Sequence, residues 1–66
     1  MNITLNGEPH QLEPGCTLAE FFQNMNLEPN AFASALNGQF VARGARAACV
    51  LQENDAVFTF QAIVGG

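Results

Sequence analysis

The sequence predicts an α+β roll, a mixed sheet of four to five strands wrapped over a single helix. Three observations predict it. Two Asn-Gly pairs, Asn6-Gly7 and Asn37-Gly38, each lie between β-type runs. The stretch that starts at Thr17 changes to a helical period, and the chain closes on its longest β-rich run, "AVFTFQAIV". One helix with an apolar stripe and several strands is satisfied by a sheet that buries that stripe.

The elements follow in order. "NITLNGEPHQL" alternates Ile3 and Leu5 with polar neighbours and turns at Asn6-Gly7, where both residues tolerate positive φ. Strands are expected at 2–6 and about 9–13, with Pro9 making the second an edge strand. Pro14-Gly15 marks a turn. Thr17 and Glu20 form a T-x-x-E capping box, and Leu18, Phe21, Phe22 and Met25 follow at i, i+3, i+4 and i+7. The spacing predicts a helix of about ten residues, ended by Pro29 and the asparagines at 24, 26 and 30. "AFASALNGQFVAR" reads as a second strand pair, Phe32 to Leu36 and Phe40-Val41, and "GARAACV" as a short turn of helix. Glu53-Asn54-Asp55 turns the chain into the last strand. The order is β-β-α-β-(β)-β, with the first and last strands side by side in the centre of the sheet.

Size and charge bound the function. Sixty-six residues make one domain, with 48% apolar content and six Phe to build a core. A chain of this length buries only about 60% of its unfolded surface. Arg43 and Arg46 stand against six acidic residues, a net charge of −4 with no lysine. That balance argues against nucleic acid and against anionic membranes, and suits a partner with a basic surface. Cys16 and Cys49 fit neither a CxxC nor a zinc-ligand spacing, and "MNITLNGE" has no secretory character. The chain therefore reads as cytoplasmic, with reduced thiols.

The ending "QAIVGG" is the most informative segment. Counted from a strand pinned near Phe60, Ile63 to Gly66 extend about 13 Å as a tail over residues 63–66. Gly65-Gly66 has no Cβ to obstruct a narrow channel. An α-carboxylate is ionised at neutral pH and is a poor acyl electrophile, so chemistry there needs activation, most simply adenylation by ATP.

Length, element order and the segments "MNITLNGE", "PGCTLAEFF", "ASALNGQFVAR", "LQENDAV" and Gly65-Gly66 together resemble the ThiS family of sulfur carriers in thiamin biosynthesis. The resemblance spans the whole chain and implies a ubiquitin-like β-grasp fold. The family often has Pro in place of Ala42, an aromatic within the stretch "ARAAC", and Gly-Asp in place of Asn54-Asp55. The resemblance implies a carrier cycle. An E1-like, ThiF-type enzyme adenylates Gly66 with ATP and magnesium, and a sulfur donor protein displaces AMP to leave a thiocarboxylate. A ThiG-type thiazole synthase then takes the sulfur. In that scheme the chain is a protein cosubstrate, binds no cofactor of its own, is monomeric when free and supplies no catalytic side chain. Gly66 is the modified residue and Gly65 lets the tail thread.

For the remaining residues the spacing gives definite expectations. Phe21, Phe22, Met25, Phe58 and Phe60 are assigned to the core. Val57, Ile63 and Val64 on the opposite face of the last strand form a candidate docking patch beside the tail. Cys16 at the helix N-terminus would have its thiolate favoured by the helix dipole, Cys49 is expected buried, and His10 is a surface strand residue. Arg43 and Arg46 read as solvated loop arginines or as contacts to a partner's acidic groups. Other readings are a carrier for molybdopterin or another sulfur pathway, a ubiquitin-like modifier, and a β-grasp binding module with an inert tail.

Overall fold

A computed structural model of the chain describes residues 1–61. It contains five strands, β1 (Asn2–Leu5), β2 (Glu8–Gln11), β3 (Phe32–Leu36), β4 (Gln39–Val41) and β5 (Ala56–Gln61), with one helix, α1 (Leu18–Asn24), and a 3-10 turn at Arg43–Ala48. The sheet order is β2-β1-β5-β3-β4. β1 and β5 run parallel and the other neighbours antiparallel, so the sheet is mixed and the last strand occupies its middle. β2 is an edge, and Pro9 opposite Thr4 costs the sheet no central ladder bond.

Both hairpins turn on the same chemistry. Asn6 and Gly7 have φ of 51° and 87°, and Asn37 and Gly38 repeat those values. Two consecutive positive φ angles make a type I′ turn, whose twist matches that of the flanking strands.

The capping box predicted at the start of α1 is formed. Thr17 Oγ1 accepts from Glu20 N at 3.1 Å, and Glu20 Oε1 accepts from Thr17 N at 2.9 Å. The helix is seven residues rather than ten, because Asn26 takes a left-handed conformation, φ 60°, immediately after the C-cap Met25. Asn26 N donates to Gln23 O and Leu27 N to Phe22 O, the paired bonds of a Schellman stop. That reversal turns Leu27 against the core and leaves Met25 exposed, so Met25 is not the core residue its spacing suggested.

The core between helix and sheet consists of Ile3, Leu18, Phe21, Phe22, Leu51 and Val57. His10, opposite Ile3, stacks edge-on to Phe21 with ring centroids 5.6 Å apart. The segment after the 3-10 turn closes over the start of α1. Leu18 N donates to Cys49 O at 2.8 Å and Leu51 N to Cys16 O at 2.9 Å, which carries Leu51 inward.

Arg46 is neither solvated nor available to a partner, as the sequence had suggested. It is 3% exposed, with its guanidinium 4.5 Å from the centre of the Phe32 ring and 5.2 Å from that of Phe22. Nε donates to Ser34 Oγ at 3.0 Å, one terminal nitrogen to Pro29 O at 3.1 Å and the other to Phe32 O at 2.9 Å. Burial, and then the neighbouring Arg43, pull its pKa below the usual guanidinium value. A planar cation beside an edge-to-face pair of aromatic rings, with three acceptors at its edge, is a tolerable buried charge. Arg43 lies outside and donates to Asn30 Oδ1.

Candidate functional site

The sequence reading expects the chemistry at Gly66, with Gly65, Ile63 and Val64 leading to it, and all four lie outside the described residues. What the structure describes is the strand that precedes them in the chain, β5. β5 is held by β1 through Thr4–Ala56 and Leu5–Val57, and by β3 through five register pairs from Phe32–Gln61 to Leu36–Val57. Its start is locked further by Asn37, whose N donates to Ala56 O at 2.8 Å while its Oδ1 accepts from Ala56 N at 2.9 Å. Asp55, nearly buried, ties the preceding turn. Its Oδ1 accepts from Asn37 Nδ2 at 2.9 Å and its Oδ2 from Gln52 N at 2.7 Å.

The face assignment of β5 is the reverse of the one expected. Val57 is fully buried, so it belongs to the core and not to a docking patch. Phe58 and Phe60 are 39% and 56% exposed on the open side of the sheet, so they are not core. The register explains why. Val57 stands between Leu5 and Leu36, two large residues directed at the helix, whereas Phe58 is opposite Ala35 and Phe60 opposite Ala33. Ala35 also faces Phe40, which is 71% exposed. Three rings therefore project from β4 and β5 over a floor of alanines. An exposed apolar patch of this kind is a candidate interaction surface.

This patch was legible in part. β3 carries Ala at 33 and 35, and small residues opposite bulky ones on one face are the signal that Phe58 and Phe60 share that face with Phe40. Read alone, β5 is apolar on both faces, and its alternation does not say which is inside.

The cysteines are not prepared for chemistry. Cys16 and Cys49 are free and half-buried. Burial raises the Cys16 thiol pKa and Glu20 adds to it, so the helix terminus does not favour the thiolate as expected. Cys49 is half-buried rather than fully buried, and its pKa is raised by burial and then by Asp55. Among the described residues no group of three or more His, Cys, Asp or Glu is placed to hold a metal ion. No helix among them is long and apolar enough to cross a membrane.

Comparison with known proteins gives one consistent result. The model of the ThiS family matches residues 3–66. A thiazole synthase of Magnetococcus marinus is 41% identical over all 66 residues, although the chain spans only 20% of that protein's length. The sulfur carrier protein ThiS of Escherichia coli is 32% identical over 66 residues, end to end in both chains. Among solved structures, the crystal structure of the thiamine biosynthesis protein ThiS from Geobacter metallireducens superposes with a TM-score of 0.87 at 26% identity, covering both chains completely. The solution structure of a thiamine biosynthesis protein from the same organism gives 0.74 at 28%, covering this chain fully and 87% of the other. With a family match from residue 3 to the last glycine and a β-grasp arrangement shared over its full length, this chain belongs to the ThiS family of sulfur carriers of thiamin biosynthesis.

Proposed function

We propose that this chain carries sulfur on the carboxyl group of Gly66. An E1-like enzyme joins that carboxylate to AMP from ATP with magnesium, releasing pyrophosphate, and a sulfur donor protein displaces AMP to leave a thiocarboxylate. The sulfur then passes to thiazole synthase and the carboxylate is restored. The chain is a protein cosubstrate and not a catalyst. One observation carries this reading: the central strand of the sheet, held on both sides, runs directly into a segment that ends in Gly65-Gly66. Gly65 is assigned to threading, since a residue without a side chain clears a channel that any Cβ would narrow.

Phe40, Phe58 and Phe60 are assigned to docking, next to the point where β5 hands over to residues 62–66. At about 200 Å² for a Phe side chain, their exposed fractions amount to about 330 Å². A stable complex buries about 800 Å² on each partner. The aromatic patch is therefore an anchor for an exchangeable complex, as suits a carrier that must leave one enzyme for another. The Magnetococcus marinus thiazole synthase, which holds a segment 41% identical to this chain, supports a thiazole synthase as one partner. Ile63 and Val64 are assigned to the continuation of the docking surface.

The test is the intact mass of the chain after incubation with ATP, magnesium, a cognate adenylating enzyme and a sulfur donor. Exchange of one oxygen for sulfur, mapped to Gly66 and absent from a variant lacking Gly66, is the expected result. An unmodified chain under those conditions refutes the carrier reading.

A further inference from the structure

We infer that the side chain of Asn6 is a positioning residue for the tail, a role that rests on the carrier function proposed above. β1 ends at Leu5, and its last register partner on β5 is Val57. A parallel ladder extended one step would have Thr59 N donate to the main-chain carbonyl of Asn6. The chain has already turned away there, into the type I′ hairpin. The main chain makes its last ladder bond from Asn6 N to Val57 O at 2.8 Å, and the side chain takes over from there, with Asn6 Oδ1 accepting from Thr59 N at 3.0 Å. Asn6 Nδ2 also donates to Thr59 Oγ1 at 3.0 Å. The carboxamide thus continues the sheet by one peptide unit on the β1 side of β5.

Asn37 makes the same substitution from the other hairpin, with its Oδ1 accepting from Ala56 N. The two asparagines clamp β5 at different places. Asn37 acts at its first residue, and Asn6 acts at Thr59, two residues before the last described position. Only the Asn6 clamp sets how far toward Gly66 the strand is held on both sides. It also holds the backbone next to Phe60, one of the three docking rings.

Loss of the clamp leaves Thr59 to Gln61 held on the β3 side alone, through Ser34–Thr59, Ala33–Phe60 and Phe32–Gln61, and this single edge opens more readily than a strand held on both sides. Each time that remaining edge also opens, the free length to Gly66 grows from residues 62–66 to residues 59–66, from five to eight. With end concentration falling roughly as the −3/2 power of length, delivery of Gly66 drops about twofold. Any displacement of Phe60 adds to this loss.

Three variants separate positioning from mere stability. Asn6→Gly and Asn37→Gly each remove a clamp while keeping a residue suited to the positive φ at that position. Asn6→Asp keeps the oxygen that accepts from Thr59 N and can accept from the Thr59 hydroxyl. Amide hydrogen exchange and sulfur loading at Gly66 are measured on all three, with thermal midpoints alongside. In Asn6→Gly, exchange at Thr59, the amide that donates to Asn6 Oδ1, is expected to quicken about tenfold, the equivalent of one hydrogen bond of ordinary strength. Loading kcat/KM is expected to fall by up to about twofold. Asn37→Gly should leave both quantities near wild type, and Asn6→Asp should restore them. Unchanged exchange at Thr59 in Asn6→Gly overturns the inference, as does equal loading by the two glycine variants. If the wild-type chain takes no sulfur at all, the carrier reading falls, and the exchange data alone still decide whether Asn6 clamps the strand.

Discussion

Replacing Phe60 by Thr and Val57 by Ala tests the reversed faces of β5 in one experiment. Phe60 is 56% exposed, about 110 Å² of a ring of about 200 Å². If a partner covers that area completely, its removal costs about 2.8 kcal/mol of binding at 25 cal/mol per Å², close to a hundredfold in Kd. Threonine is a good strand residue, so the fold itself loses no more than about 1 kcal/mol. Val57 has the opposite profile. It is fully buried, and truncation to Ala removes two methyl groups from the core and leaves a cavity, at a cost of about 2–3 kcal/mol. A 66-residue domain holds about 3–10 kcal/mol in total, so that loss lowers the thermal midpoint by about 10–20 °C. The assay is calorimetric titration against an adenylating enzyme at a temperature where both variants are folded, paired with thermal unfolding. Phe60→Thr should bind weakly and melt near wild type, and Val57→Ala should bind normally and melt early. The reverse pairing, with Phe60→Thr unstable and Val57→Ala deficient in binding, would refute the assignment of faces.

Other expectations concern the rest of the molecule. Arg46→Met keeps a flexible apolar chain against Phe22 and Phe32 but strands the carbonyls of Pro29 and Phe32, and should cost about 2–4 kcal/mol by urea denaturation. Arg46→Lys, which cannot reach all three acceptors with one fork, should fall between Arg46→Met and wild type. Because burial raises both thiol pKa values in the folded chain, the native state holds its thiol protons more tightly than the unfolded one. The stabilisation is therefore complete below the ordinary thiol range and is lost as pH rises through it, so urea midpoints measured on the reduced protein should decline there. Alkylation of Cys16 and Cys49 at mildly alkaline pH should be slower in the folded chain than in urea. A Cys16 that reacts faster when folded would contradict the geometry of its site.

Local sequence determined the turns, the cap and the order of elements. Asn6-Gly7 and Asn37-Gly38 specify their hairpins because a type I′ turn needs two positive φ angles, and Thr17 with Glu20 specifies a helix start because each satisfies the other's backbone. The end of α1 was less legible. Several asparagines compete for the stop, and only the contact of Leu27 with the core selects Asn26. The family was also readable, since it depends on which residues stand where along the whole chain. Tertiary structure decided the rest. β5 is apolar on both faces, so its inside was chosen by its neighbours, with Leu5 and Leu36 drawing Val57 toward the helix while Ala33 and Ala35 left room for Phe60 and Phe58 on the open side. Arg46 looked like a solvated charge because nothing near it in sequence announces Ser34, Pro29 O and Phe32 O. Those acceptors and both aromatic rings arrive from α1 and the segment before β4, and a buried charge is tolerable only once they have assembled around it. Period and turn chemistry are local and can be read along the chain; which face is buried, and which polar group finds partners there, depends on residues that meet only on folding.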